Sequence, residues 1–230
     1  MTLPLSLVMT AAEINTGIPL PPHLAYMACH FSPYGTGLSN LPKWLPPGSM
    51  LILNDRTPIY GHDPVLICDQ LAESIEFLHC SSLLLDFQRA DCEETAILSQ
   101  KMIAALPCPV GLSEVYARDV SCPVFLAPPP LDIPLQTYLA PWKGREIWLE
   151  AAPDRQILTL TPEGCSTSAL FSPSPGNFID PNLHIHYDIT VSNRKVQFSL
   201  QRSQEDLAEL LKEAESLGVT MAVGLWQELK

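Results

Sequence analysis

Acidic and aromatic side chains recur in one kind of place along this sequence, directly after short apolar runs. In chain order the polar residues found there are His30, Asp55, Arg56, Asp86, Gln88, Arg89, Glu114, Tyr116, Glu150, His184, His186, Tyr187, Asp188, Trp226 and Glu228. Carboxylates dominate. They accept hydrogen bonds from hydroxyl groups, and Trp or Tyr offers a stacking face, so the set suits a neutral polyhydroxylated ligand such as a sugar. Glu114 and Glu150 could serve as the paired carboxylates of glycosidic cleavage, against the plainer reading of both as solvated loop acids. Asp55 reads as readily as a turn or cap residue. His184-x-His186 puts two imidazoles on one strand face, with Asp188 beside them; no clear third ligand accompanies them, and no metal is expected.

The apolar runs that position these residues are near-continuous, as strands covered on both faces must be. They fall at 23–29, 50–53, 82–87, 110–112, 124–127, 146–149, 157–160, 184–191, 196–200 and 219–225. Helical spacing predicts helices over 64–78, with Asp63 as cap and Pro64 in the first turn, over 93–106, and over 203–217. In the last, Ser203 with Asp206 approximates a capping box and Gly218 supplies the stop. The segment 161–181, rich in Ser, Pro and Gly, reads as a long loop.

Strands alternating with helices in one chain of 230 residues imply an α/β fold: an irregular single-domain (β/α)8 TIM-like barrel over 1–230, with several helices shortened or missing. The losses are expected at 32–49 and 113–121. In such a barrel the strand C-termini share one mouth, so the polar residues above become one candidate site. The runner-up, an open doubly wound sheet, lacks its Gly-rich loop after the first strand. GxGxxG, GxxxxGK[ST], HExxH and GxSxG are all absent, which argues against nucleotide binding, zinc proteases and standard serine hydrolases, and no cofactor is expected.

Composition narrows the partners. Thirteen Lys and Arg against 25 Asp and Glu give a net charge of −12, which repels phosphate backbones and anionic lipid; neither nucleic acid nor membrane is expected. Mean hydropathy is +0.13, ample for a core. The seven cysteines are odd in number and lack CxxC spacing, as in a reducing compartment, and a cytoplasmic location is expected. The N-terminal stretch is mildly apolar but has no early Lys or Arg and fails as a signal peptide. Trp44, Trp142 and Trp148 are assigned to packing. Nothing in the sequence sets the oligomeric state.

Two pieces of the chain resemble one family. Leu83-Leu84-Leu85-Asp86-Phe87-Gln88 is similar to the strand-four signature of the chitinase family, glycoside hydrolase family 18, which ends Asp-hydrophobic-Asp-aromatic-Glu. Val223-Gly224-Leu225-Trp226 resembles that family's last strand, and His186-Tyr187-Asp188 is a weaker echo of its Tyr-Asp pair. The resemblance implies that Asp86 orients an acetamido group, that Trp226 floors a sugar site, and that Tyr187 and Asp188 hold the acetamido. It also implies that the general acid is gone: Gln88 stands where the family has Glu, and Gln has no proton to give a leaving oxygen. Leu84 replaces the signature's earlier Asp, and this strand counts as third along the sequence where the family has it fourth.

The expectation is therefore a degenerate, glycosidase-like barrel that binds glycan without standard catalysis. Asp86, Glu114 and Glu150 are the candidate catalytic carboxylates. His30, Asp55, Gln88, Tyr116, Tyr187, Asp188 and Trp226 are the candidate ligand contacts. The alternatives are an active carbohydrate-directed hydrolase using Glu114 or Glu150, and a scaffold with no small-molecule site.

Overall fold

The computed structural model describes residues 3–59, 61–89, 92–169 and 176–230. In order the chain forms β1 (Leu5–Met9), the single turn α1 (Ala11–Ile14), β2 (Leu24–Phe31), the two-residue β3 (Leu38–Ser39), β4 (Met50–Asn54), α2 (Pro64–Phe77), β5 (Ser82–Asp86), α3 (Glu93–Ala105), β6 (Val110–Ser113), α4 (Glu114–Ala117) and β7 (Val124–Leu126). There follow α5 (Leu135–Leu139), β8 (Ile147–Glu150), β9 (Asp154–Thr161), β10 (Gly164–Ala169), β11 (Phe178–Asp180), β12 (Ile185–Ser192), β13 (Lys195–Arg202), α6 (Gln204–Ser216), β14 (Val219–Leu225) and α7 (Trp226–Leu229).

Eight of these strands run parallel in the cyclic order β1-β2-β4-β5-β6-β7-β8-β14, and β14 pairs back onto β1, so the sheet closes into an irregular TIM-like barrel. Closure explains the doubly apolar strands. On β4 and β5, Met50, Ile52 and Leu84 point inward to join Val8, Ala25, Phe125, Trp148 and Val223. Their neighbours Leu51, Leu53, Leu83, Leu85 and Phe87 point outward onto the helix layer, against Ile67, Leu71 and Ile75 of α2 and Leu98 and Met102 of α3. Trp148 fills the interior at 1% exposure. Gly111 makes room for it: a Cβ there would lie 2.3 Å from the indole ring.

The long helices begin where their caps put them. Asp63 accepts from the Val65 amide at 2.9 Å to start α2. Ser203 and Asp206 close a reciprocal capping box on α6, a device worth about 1 kcal/mol. Gly218, at φ 95°, stops that helix just before β14. The economies fall at both expected places: 32–49 holds only β3 and turns, and 113–121 holds only the last residue of β6 and the four-residue α4.

Two expectations are corrected. The first strand is β1, which lies ahead of the 23–29 run and pairs with both β14 and β2. Its burial is uneven, with Leu5 and Leu7 only half-buried, so its apolar pattern is weak and its place comes from bridging two neighbours. With β1 counted, Ser82–Asp86 is the fourth barrel strand, not the third.

The second correction concerns 161–181, where β10 and β11 replace a long loop; residues 170–175 of that segment lie outside the described residues. Both belong to an antiparallel sheet of order β10-β9-β13-β12-β11, inserted between β8 and α6. β10 (Gly-Cys-Ser-Thr-Ser-Ala) is exposed throughout. It is a strand because β9 pairs with it along its length, which no hydrophobic pattern announces.

This sheet rests on the barrel through a small core of Leu131, Ile185 and Leu200. Arg202, 1% exposed, donates to the Pro129 carbonyl at 2.7 Å and the Leu183 carbonyl at 3.1 Å. Burial lowers its pKa to about 10, against the pull of Asp154 and Asp206. His184 and His186 bond Glu213 and Asp206 of α6 at 2.5 and 2.9 Å. Among the described residues no helix is long and apolar enough to cross a membrane.

Candidate functional site

The C-terminal ends of the barrel strands surround a cavity of about 750 Å³. Its floor is the top of the inner core, Val8, Ile52, Leu84, Phe125 and Val223. Its polar wall carries His30, Asn40, Asn54, Asp55, Arg56, Asp86, Gln88 and Glu150.

Each wall residue follows from its strand. Leu84 faces inward, so Asp86, two residues on, does too. Gln88 continues past the strand end and donates through Nε2 to Asp86 Oδ1 at 2.5 Å. On β8, Trp148 faces inward and Glu150 repeats its direction at the rim. Asp55, 7% exposed, accepts from the Arg89 amide at 2.8 Å, which ties the end of β4 to the chain after β5.

His30 reaches the mouth by a different route. Ala25 and Met27 face inward, and strict alternation would turn Cys29 and Phe31 in after them. A bulge intervenes: the pairing of β2 with β4 shifts register between Tyr26 and Cys29. Cys29 and Phe31 consequently face the helix layer, and His30 faces the cavity. The extra residue leaves carbonyls out of the ladder, and Asn54 Nδ2 satisfies those of Met27 and Cys29 at 3.0 Å each. The ring itself is held by Asn40 Nδ2 at 3.1 Å from Nε2 and by the Phe31 carbonyl at 2.8 Å from Nδ1.

The carboxyls disturb one another. Burial, then Asp86 and Glu228, push Glu150 up to about 7. Burial also raises Asp86, with Asp55 adding to it, although Gln88 and Ser113 hydrogen bonds pull the other way. Near neutral pH, Glu150 is thus both a proton donor and an acceptor at the rim.

Of the residues singled out from the sequence, the structure brings His30, Asp55, Arg56, Asp86, Gln88 and Glu150 together around this cavity. The others lie elsewhere. Glu114 begins α4 and does not line the cavity. Tyr116 packs against the outer core and donates its hydroxyl to the Arg89 carbonyl. Tyr187 sits in the inserted sheet, stacked on Phe178 with centroids 5.5 Å apart. Asp188, on the same strand, accepts from the Asn177 amide and side chain. Trp226 opens α7 and packs on the outer core, outside the cavity lining. Among the described residues no group of three His, Cys, Asp or Glu could hold a metal ion. Asn54 directly follows the 50–53 run but carries no charge, and Asn40 follows no such run, so neither was singled out; their work is to hold backbone and ring in place.

The sequence matches no family profile and no curated protein. Solved structures do share the fold. A Cycas revoluta family-18 chitinase carrying Gly→Trp and Glu→Gln substitutions, in complex with (GlcNAc)4, superposes with a TM-score of 0.58 at 11% identity, over 98% of this chain and 94% of its own. A chitinase from Chromobacterium violaceum gives 0.56 at 8% identity, over 98% and 94%. The Bacillus cereus spore cortex-lytic enzyme SleL gives 0.55 at 10% identity, over 98% and 70%. The chain therefore has the barrel fold of the family-18 chitinases.

Proposed function

We propose that this glycosidase-like barrel binds an oligosaccharide in its mouth and does not hydrolyse it. The observation that carries the reading is the pair at the end of the fourth barrel strand: Asp86 is in place, and beside it, within 2.5 Å, stands an amide rather than an acid. Gln88 can hydrogen-bond a glycosidic oxygen but cannot protonate it. An apolar floor under a wall of hydrogen-bonding groups suits a sugar ring. A chitinase of this fold with Gln in place of a Glu was captured with (GlcNAc)4, which agrees with binding outlasting loss of an acid.

The test is calorimetric titration with soluble oligosaccharides, run beside hydrolysis of chromogenic N-acetylglucosaminides. Binding without turnover is expected. Gln88→Glu should gain far less than the 10²–10⁴-fold that a positioned general acid typically contributes, because Leu84 leaves a second carboxylate of the family signature missing. Robust wild-type turnover that survives Asp86→Ala would sink the reading.

One observation favours a second reading, an active hydrolase. Glu150 lines the mouth, and burial with Asp86 and Glu228 pushes its carboxyl up to about 7, where a general acid works best. Turnover in the wild type that Glu150→Gln abolishes would establish it in place of the first.

A further inference from the structure

The charge balance of the mouth bears on which oligosaccharide it takes. Three carboxyl groups, Asp55, Asp86 and Glu150, line the cavity, and among its described lining residues Arg56 is the one Lys or Arg. Glu228 lies close enough to act on Glu150 as well. The whole chain, at −12, offers no opposing field. A neutral sugar seated here can donate hydroxyl hydrogen bonds to the carboxylates, but it supplies no countercharge to groups it removes from water. An anionic sugar would be repelled outright.

A single metal ion is not the remedy, because no three of the described acidic, His or Cys groups converge on one point. The missing charge has to be spread along the ligand while the ligand still presents apolar faces to Ile52, Leu84, Phe125 and Val223. Resting on the reading of the mouth as an oligosaccharide site, we propose that its ligand is a cationic amino sugar, a glucosamine oligomer whose amines are free rather than acetylated. Ammonium groups on successive rings answer separate carboxylates, and the ring faces cover the floor. Burial, with the neighbouring carboxyls adding to it, raises Asp86 and Glu150, and a cationic ligand offsets the neighbours' charge directly.

The experiment is calorimetric titration of the purified chain at pH 6.5 with (GlcN)4, (GlcNAc)4, spermidine and calcium chloride, each in low and high salt. (GlcN)4 should bind at least about tenfold more tightly than (GlcNAc)4, with the margin shrinking as salt rises. Asp86→Asn and Glu150→Gln should each narrow that margin several-fold. Glu209→Gln, an exposed change on α6 whose residue is 61% accessible, should leave it intact. Thermal melts of all variants separate misfolding from lost charge. Equal or tighter binding of (GlcNAc)4 overturns this inference and leaves the oligosaccharide site standing. Spermidine binding as tightly as (GlcN)4 also overturns it, since the sugar rings would then add nothing. Binding of neither oligomer overturns both.

Discussion

The barrel and the sheet inserted between β8 and α6 are both made of short strands, but they are held together in different ways. A barrel strand such as Ser82–Asp86 is buried on both faces until its last residue. Its position is dictated by burial, and any polar residue along it must sit at an end. The inserted strands rest on the barrel by one small apolar patch, one buried arginine and two histidine–carboxylate bonds. Their outer half carries Val191 and Ile179 at 74% and 64% exposure. Stability should therefore be concentrated in the barrel, and substitutions in the two regions should differ several-fold in cost.

Three measurements would break or sharpen that contrast. The largest effect is expected inside the barrel: Trp148→Ala, opposite Gly111, should cost about 3–5 kcal/mol in urea unfolding, because the ring has no neighbour able to collapse into its place. At the rim the effect should be smaller and opposite in sign. The Glu150 carboxyl is pushed from 4.5 up to about 7 by burial and by Asp86 and Glu228, so the folded chain holds that proton more tightly than the unfolded one. Wild-type stability should fall as pH rises from 4.5 through about 7. Glu150→Gln should flatten that slope and be more stable than wild type at pH 8 by about 1 kcal/mol, given the solvent that still reaches the group. A slope unchanged in the variant would mean that neither burial nor the neighbouring carboxyls hold the Glu150 proton. The smallest effect belongs to the inserted sheet, where Val191→Ser should stay within about 0.5 kcal/mol. A loss of several kcal/mol there would show that the exposed face is covered in solution.

The same contrast governs what could be read from residues alone. The runs behind β4, β5 and β14 are doubly apolar because they are doubly covered, and α2 and α6 carry their caps in plain view at Asp63 and Ser203. The inserted sheet offered less: β12 and β13 show as the runs 184–191 and 196–200, but β10 owes its form to its partner strand. The mouth divides along this line as well. Asp86, Gln88 and Glu150 followed from strand ends. His30 belongs to the mouth only because of a bulge that alternation cannot reveal. Tyr187 and Asp188 lie within a strand of the inserted sheet, not at a barrel strand end, and Trp226 turns into a helix instead of continuing its strand.

Trp148 also decides the topology of access. With the indole lodged against Gly111 and seven apolar neighbours around it, the barrel is a cup with a solid base. A polymer cannot thread through it. A long chain can only lie across the rim or dip one end into the cup, and whatever enters leaves by the same opening. On the proposed oligosaccharide reading, movement along a polymer is sideways over the rim, and each new registration requires the sugar to lift clear of Asp86 and Gln88 before the next can settle.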